Sequence, residues 1–229
     1  MCSVASCLLL LFVASCGAAS STPQPTAVQQ NPPSHLLYVA IGASDTFGLG
    51  ADDPQTENWA ADLARELGSS TRLINLGIPG ITLHQALNLE LPVALDTHPN
   101  LITIWLAVND IGNFVTPASY ARDLETLLSH LQSADPQARI AVANVPDLHL
   151  LPYFEQRYDQ SYLSAQIQAY NAIIAAAASR HHILLVDLYN QWQTLRNHPE
   201  YLSGDGFHPS TIGYQQIANL FYQTLRQAR

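Results

Sequence analysis

The sequence contains no lysine, and charged side chains of any kind make up only 12% of its 229 residues. All nine basic residues are arginines, and together with 18 acidic residues they give a net charge of −9. A protein that binds nucleic acid needs a basic surface to neutralise phosphate groups. Because this chain cannot build such a surface, we expect no nucleic-acid partner.

Cysteine is equally restricted, since the three cysteines, Cys2, Cys7 and Cys16, all lie within the first sixteen residues. From residue 17 onward, neither a disulfide nor a thiolate-ligated metal is possible. The histidines offer no better ligand set: His181 and His182 are adjacent and would point apart, and no two histidines are spaced four residues apart. We therefore expect neither a bound metal nor another cofactor.

No stretch of the sequence reaches the ~20 apolar residues that a membrane-spanning helix needs. A shorter apolar core from Leu8 to Val13 is followed by the small residues Ala14 and Ser15, which is typical of a secretory signal. We predict a signal peptide over residues 1–15. The basic residues with which such signals normally begin are missing.

The end of this segment, Val13-Ala14-Ser15-Cys16, resembles the lipobox of bacterial lipoproteins, in which the cysteine becomes the lipidated N-terminus. The resemblance implies a lipid anchor at Cys16 and a location on the outside of the bacterial cell membrane. An ordinary cleaved signal with an incidental cysteine is the alternative. Residues 16–35 are rich in Pro, Ser, Thr and Gln and cannot bury a core, so we predict a flexible linker.

Residues 36–229 alternate between short apolar runs and segments with apolar residues at helical spacing, which predicts one α/β domain. Its expected architecture is a three-layer α/β/α sandwich around a five-stranded, mostly parallel, flavodoxin-like sheet. The predicted strands are 36–41, 72–76, 101–108, 139–145 and 183–188. The predicted helices are 54–67, 82–95, 117–131, 163–179 and 211–225, and residues 146–162 form a long aromatic connection.

Residues that suit acyl transfer follow the predicted strands. Ser44 follows the first strand, a glycine-containing stretch from Asn75 to Thr82 follows the second, and Asn109 follows the third. Asp205 and His208, three residues apart, precede the last helix. The carboxyl ends of parallel strands meet at one edge of a sheet. A serine there becomes a nucleophile when a histidine removes its proton, an aspartate orients the histidine, and N–H groups bind the oxyanion.

In this order, the segments resemble the sequence blocks of the SGNH, or GDSL, hydrolase family over nearly all of residues 36–229. The resemblance implies that Ser44 is the nucleophile and that Asp205 and His208 complete a catalytic triad. It also implies that Gly80 and the Asn109 side chain join the Ser44 N–H in an oxyanion hole.

Two residues depart from the family pattern: Ala43 stands in place of an aspartate, and Ala107 stands in place of a glycine. Neither position supplies a reacting group. Among the other carboxylates, Asp110 is expected to brace its loop rather than to react. Asp187, after the fifth strand, is the alternative to Asp205, but Asp205 has the family's spacing.

Four aromatic residues of the long connection are candidates for the wall of an acyl pocket: Tyr153, Phe154, Tyr158 and Tyr162. Loops at the carboxyl ends of strands commonly carry specificity. The alternative is that these side chains only hold the loop against the core.

The sequence thus predicts a secreted or surface-anchored serine esterase that acts, as a monomer, through an acyl-enzyme. Its substrate would be a small-molecule carboxylic ester, such as a lipid, an acylated sugar or a small acyl ester. The alternative is a weak or inactive protein of the same fold, a surface lipoprotein that binds a ligand in the same cleft.

Overall fold

A parallel sheet of five strands runs through the part of the chain that the computed structural model describes, residues 35–191, 193 and 197–227. The middle strands form because they are continuous apolar runs that helices cover on both faces. The strands, in the spatial order β2-β1-β3-β4-β5, are β1 Leu36–Gly42, β2 Thr71–Asn75, β3 Leu101–Trp105, β4 Arg139–Ala143 and β5 Leu184–Val186. This is the flavodoxin-like order, and it confirms the predicted fold class.

The strand order places a crevice where the site is expected. β1 pairs with β2 on one side and with β3 on the other, so the direction of the crossovers reverses between β1 and β3. Gly42, the last residue of β1, is in register with Trp105, the last residue of β3. The segments that follow β1 and β3 therefore leave the sheet side by side, at its carboxyl edge.

Helices form the outer layers. α2 lies beside α10, where Trp59 stacks on Phe221 with ring centroids 4.3 Å apart, and α6 lies beside α3, α4 and α8. The helices are α1 Ser44–Phe47, α2 Trp59–Leu67, α3 Leu83–Leu89, α4 Leu91–Thr97, α5 Val108–Gly112, α6 Pro117–Ala134, α7 Pro152–Arg157, α8 Gln160–Arg180, α9 Leu188–Gln191 and α10 Thr211–Gln227.

Several predicted boundaries were wrong for local reasons. The helix predicted over residues 82–95 is two helices, α3 and α4, which meet at the buried residue Glu90. The strand predicted over residues 101–108 ends at Trp105, and α5 begins at Val108. The helix predicted from residue 54 begins at Trp59, because the Asn58 side chain caps it by accepting a hydrogen bond from the Ala61 N–H at 2.9 Å. The long connection contains a 3₁₀ turn and α7.

Among the described residues, none of the helices combines the length and the apolar character needed to cross a bilayer. The predicted signal peptide, Cys16 and most of the linker lie outside the described residues. Export and lipid anchoring therefore stay predictions.

Candidate active site

The turn after β1 carries Ser44 at the first position of the short helix α1. Gly42 is required here, because a Cβ at this position would overlap the Thr46 hydroxyl and the Trp105 carbonyl. Asn75, at the end of β2, fixes the same turn by donating a hydrogen bond to the Thr46 carbonyl at 2.6 Å. The serine is held in a rigid turn and is only 5% exposed.

His208 lies between Ser44 and Asp205. The distance from His208 Nε2 to Ser44 Oγ is 2.9 Å, and the distance from His208 Nδ1 to Asp205 Oδ2 is 2.6 Å. An ionised aspartate accepts the Nδ1 proton, so that Nε2 carries the lone pair that faces the serine hydroxyl. In the sequence, Ser44 precedes Asp205 by 161 positions and Asp205 precedes His208 by 3. The structure brings the three residues together.

Asp205 is kept ionised by its surroundings. Partial burial raises the pKa of Asp205, but hydrogen bonds from His208, from the Phe207 N–H and from the Ser203 hydroxyl outweigh burial and lower the pKa to about 2. The carboxylate therefore carries its negative charge against His208 across the neutral pH range.

The alternative carboxylate, Asp187, is occupied elsewhere. It accepts hydrogen bonds from the side chains of Asn144 at 2.9 Å and Asn190 at 2.6 Å. Burial raises the pKa of Asp187, but these amides and nearby backbone N–H groups lower it overall. Asp205, and not Asp187, is the partner that the structure gives to His208.

The loop between β2 and α3 packs directly against the serine turn. Gly77 is required for this contact, because a Cβ there would overlap the backbone of Thr46 and Phe47. Gly80 follows at φ +82°, in a region where glycine is favoured, and is exposed. No described residue accepts a hydrogen bond from the Gly80 N–H, so this donor can serve a bound group.

Asn109 lies near the start of α5, in the segment that follows β3. Its Nδ2 donates one hydrogen to the Ile81 carbonyl at 2.9 Å, which orients the amide and leaves the second hydrogen available. Asp110 braces the loop as expected, since both carboxylate oxygens lie 3.1–3.2 Å from the Leu83 N–H. Burial raises the pKa of Asp110 to about 7, although the Leu83 N–H opposes this shift.

The backbone before Asn109 is strained. Ala107 has φ 154° and ψ −32°, a combination that residues with a Cβ rarely adopt. A glycine, the residue that the family pattern has here, would adopt it without strain.

We therefore expect Ala107→Gly to stabilise the protein by about 1 kcal/mol, because the relief of strain exceeds the added entropy of the unfolded chain. Thermal unfolding should show the melting temperature rising by roughly 2–4 °C. The matched control is Ala61→Gly in α2, where the backbone is helical and the same change should lower stability by about 1 kcal/mol. If both variants melted at a lower temperature than the wild type, the backbone at Ala107 would not be strained.

Glu90 is a further residue of the site, and it is not among those predicted from the sequence. It is 1% exposed, and its Oε1 accepts a hydrogen bond from the Gly42 N–H at 3.0 Å, two residues before Ser44. Its Oε2 has no partner among the described residues. Burial raises the pKa of Glu90 to about 8, although the Gly42 N–H opposes this shift. The one sequence signal is an acidic residue placed between leucines inside an apolar helical stretch.

We expect the free energy of unfolding to fall as Glu90 ionises. The folded protein holds this proton more tightly than the unfolded chain, so the stabilisation is complete below about pH 4.5 and is lost as the pH rises through about 8. Each unit of pKa difference corresponds to about 1.4 kcal/mol, so the loss should amount to several kcal/mol. Glu90→Gln stays neutral and keeps the acceptor for the Gly42 N–H. Denaturant unfolding of both proteins should be measured at about pH 5 and about pH 8.5. Between these two pH values the free energy of unfolding should fall less for the variant than for the wild type. Equal falls would contradict a raised pKa for Glu90.

The predicted aromatic residues lie next to the site loops. Tyr153 stacks on Phe207, the residue before His208, with ring centroids 5.0 Å apart, and Phe154 packs edge-on against the same ring at 5.2 Å. The Tyr158 hydroxyl donates to the Gly112 carbonyl at 3.3 Å, and the Tyr162 hydroxyl donates to the Ile111 carbonyl at 3.4 Å. The four rings hold the long connection against the His208 and Asn109 loops, so their structural role is visible; their role as a pocket wall stays a prediction.

A small cavity of about 10 Å³ is lined by sequence neighbours of Ser44, Asn109 and His208, but not by these three residues themselves. None of the four predicted aromatic residues lines it. Its wall contains Asp45 and eight apolar or aromatic residues, among them Trp105, Val108 and Phe207. Burial raises the pKa of Asp45 to about 6, although the nearby His208 opposes this shift. No motif in the sequence marks Asp45 or Phe207 as a site residue.

The arrangement suits proton transfer and anion binding by side chains and backbone. Within the described ranges, no three His, Cys, Asp or Glu side chains form a cluster that could hold a metal ion.

The comparison with known proteins agrees with this geometry. Residues 40–216 match the model of the GDSL-like lipase/acylhydrolase family. Among curated protein sequences, none matches the chain significantly.

Several solved structures share the fold. A GDSL-like lipase from Parabacteroides merdae superposes with a TM-score of 0.72 at 18% identity, over 83% of this chain and 95% of that one. A lipase/acylhydrolase from Enterococcus faecalis has a TM-score of 0.68 at 20% identity, over 84% and 96%. A family 3 carbohydrate esterase from Clostridium thermocellum has a TM-score of 0.67 at 22% identity, also over 84% and 96%. At these identities the superpositions establish the fold, and the family match extends over most of the domain. The chain belongs to the GDSL-like lipase/acylhydrolase family of hydrolases.

Proposed function

We propose that this hydrolase is a serine esterase that cleaves small-molecule carboxylic esters through an acyl-enzyme. One observation carries the proposal: the Ser44 hydroxyl lies 2.9 Å from His208 Nε2, while His208 Nδ1 lies 2.6 Å from Asp205. A serine hydroxyl, an imidazole and a carboxylate in hydrogen-bond sequence are what acyl transfer to serine requires.

In the proposed reaction, Ser44 Oγ attacks the ester carbonyl carbon while His208 Nε2 takes the hydroxyl proton. The tetrahedral intermediate then expels the alcohol, which receives that proton from His208. A water molecule, activated by the same nitrogen, attacks the acyl-enzyme and releases the carboxylic acid. Asp205 keeps the imidazole oriented and stabilises its charge during both steps.

The oxyanion of each intermediate would be bound by the Ser44 N–H, the Gly80 N–H and the Asn109 amide. Two observations support this assignment. The Gly80 N–H has no acceptor among the described residues. The Asn109 amide is fixed by its bond to the Ile81 carbonyl and has a second hydrogen to donate. Donors fixed in advance act most strongly where charge develops.

We expect Asn109→Ala to lower kcat roughly 10²- to 10³-fold with little change in KM, because the amide acts mainly on the developing oxyanion. Steady-state kinetics with a soluble ester test this. The control is Asn113→Ala, whose side chain donates, among the described residues, to the Asn109 carbonyl alone, at 2.8 Å, and whose loss should affect kcat far less. A raised KM at unchanged kcat would assign Asn109 to substrate binding instead.

Reaction with a fluorophosphonate probe separates an esterase from a binding protein that uses the same cleft. An activated Ser44 should form a stable phosphonyl adduct, located by mass spectrometry on the peptide that contains it. The heat-denatured protein should not react, because the reactivity depends on His208. A folded protein that remains unlabelled and hydrolyses no ester would favour the binding lipoprotein.

A further inference from the structure

The two oxygens of the Asp205 carboxylate have different partners. Oδ2 lies 2.6 Å from His208 Nδ1. Oδ1 accepts three hydrogen bonds, from the Ser203 hydroxyl at 2.8 Å, the Phe207 N–H at 2.8 Å and the His208 N–H at 2.9 Å. The three donors on Oδ1 therefore determine how the carboxylate is turned, and so how Oδ2 is presented to the imidazole.

Ser203 supplies a donor of a different kind from the other two. The Phe207 and His208 N–H groups belong to the backbone and are present whatever side chains these positions carry. The Ser203 hydroxyl depends on the residue at its position and is lost in a single substitution. A hydrogen bond to an ionised carboxylate is roughly twice as strong as one between neutral groups. Ser203 is therefore the side chain outside the triad that acts most directly on Asp205.

The position of the Ser203 hydroxyl is fixed by the loop that carries His208. The Ser203 N–H donates to the His208 carbonyl at 2.9 Å, and the Gly206 N–H donates to the Ser203 carbonyl at 3.1 Å. Gly50 packs closely against the same loop, because a Cβ there would lie 3.0 Å from Ser203 Cβ and 2.9 Å from His208 Cβ. The donor, the carboxylate and the imidazole thus belong to one closed loop, and the hydroxyl is already in place before substrate binds.

A donor on Oδ1 also affects the basicity of His208. Partial burial raises the pKa of Asp205, and its hydrogen bonds, including the one from Ser203, lower it to about 2. Without the Ser203 hydroxyl, the carboxylate would stay ionised at neutral pH but would carry more of its charge on Oδ2. It would then attract the imidazolium form of His208 more strongly, so that His208 would keep its proton up to a higher pH.

We propose that Ser203 is a positioning residue of this hydrolase: its hydroxyl orients the Asp205 carboxylate and limits the proton affinity of His208. The consequence is that His208 remains unprotonated, and able to act as the base, at a lower pH than it otherwise would. This inference rests on the proposed serine esterase function and extends it to the pH range of the enzyme. Ser203 acts on the reaction through Asp205.

The test is the pH dependence of kcat and kcat/KM for Ser203→Ala, measured from about pH 5 to about pH 9 with a soluble ester. We expect the midpoint of the acid side of the kcat/KM profile to move up by about half a pH unit to one pH unit. At the plateau, kcat should fall roughly three- to tenfold with little change in KM, because the carboxylate is less firmly oriented. Ser203→Thr keeps the hydroxyl and should restore the midpoint of the wild type.

Ser210→Ala is the matched control, because Ser210 lies on the other side of His208 in the same segment. Its hydroxyl donates to the Glu200 carbonyl at 2.6 Å and accepts from the Gly213 N–H at 3.2 Å. Its loss should lower the melting temperature and leave the acid side of the profile in place. An equal shift in Ser210→Ala and Ser203→Ala would mean that loosening of the segment is the cause, and it would overturn the role of Ser203.

A second variant covers the case in which Ser203→Ala fails to fold. Ser203→Cys keeps an atom at the position of the hydroxyl but donates only weakly, so the midpoint should move in the same direction by a smaller amount. A midpoint that stays at the wild-type value in this variant would contradict the proposal.

The two proposals fail in different ways. If Ser203→Ala keeps the midpoint and the kcat of the wild type, while Ser44 is labelled by a fluorophosphonate and the ester is hydrolysed, the role of Ser203 alone is overturned. If the wild type hydrolyses no ester and Ser44 is not labelled, the esterase function itself is wrong, and the inference about Ser203 fails with it.

Discussion

Replacement of Ser44 by alanine should reduce ester hydrolysis roughly 10⁶-fold, the size of the loss when the serine of a well-studied serine hydrolase is removed. The reason is that the hydroxyl is the only group proposed to form a bond to the substrate. Without it, His208 has no proton to remove and no acyl-enzyme can form. The remaining oxyanion donors could at most assist direct attack by water.

The fold of Ser44→Ala should survive, so that the loss can be assigned to chemistry. Within the described part of the chain, the Ser44 hydroxyl has one side-chain hydrogen bond, to His208 at 2.9 Å. Alanine removes no core volume, and the backbone bonds of the turn remain. Activity should be measured together with thermal unfolding, and Ser133→Ala on the exposed side of α6 serves as the control. A variant that keeps activity within tenfold of the wild type would exclude Ser44 as the nucleophile.

The sequence predicts most of the fold because its signals are strong and local. Short apolar runs indicate parallel strands, and five such runs alternate with segments that have apolar residues at helical spacing. Asp205 and His208 are predictable as a pair because three residues of spacing before a helix allow the Asp205 carboxylate to bond both the His208 ring and its backbone N–H. Ser44 requires more, since only the parallel order of β1 and β3 brings it to the same edge as the other groups.

The sequence predicts the buried carboxylates poorly, for a physical reason. Charged residues are normally exposed, so an Asp or Glu within a helical or turn pattern indicates a solvated side chain. Glu90 and Asp45 are buried because tertiary packing encloses them: Glu90 where α3 meets α4 beneath β1, and Asp45 beneath the His208 loop. The course of a loop is equally hard to predict. For this reason the sequence does not indicate that Phe207 lines the cavity, or that the four aromatic residues of the long connection do not.

Replacement of Asp205 by asparagine should lower kcat roughly 10³- to 10⁴-fold, close to the effect of the corresponding change in the serine-protease triad. An asparagine amide facing His208 Nδ1 at 2.6 Å can present an N–H, which would place the imidazole proton on Nε2. Ser44 would then face a donor instead of the base that it needs. The positive charge that forms on the imidazole would also lose its counter-charge.

The same substitution should change stability in a defined pH range. The pKa of Asp205 is about 2 in the folded protein and lies below its ordinary value of 3.8. Its carboxylate therefore contributes stability above about pH 4, and this contribution is lost as the pH falls through about 2. Since almost half of the side chain is exposed, solvent screening keeps this contribution small. The free energy of unfolding of Asp205→Asn should therefore decrease less with falling pH than that of the wild type. Its loss of activity at neutral pH should still be large.

Asp187→Asn is the matched control for this prediction, because Asp187 is also a hydrogen-bonded carboxylate with a lowered pKa in the segment that follows β5. Its bonds to Asn144 and Asn190 connect the β4 and β5 loops and do not reach His208. We expect this variant to lose some stability and to keep kcat within a few-fold of the wild type. The two variants should be compared by kcat, measured with the same ester at a pH where both are folded. A large loss in Asp187→Asn with little loss in Asp205→Asn would leave His208 as the base and would transfer the role of its partner to Asp187.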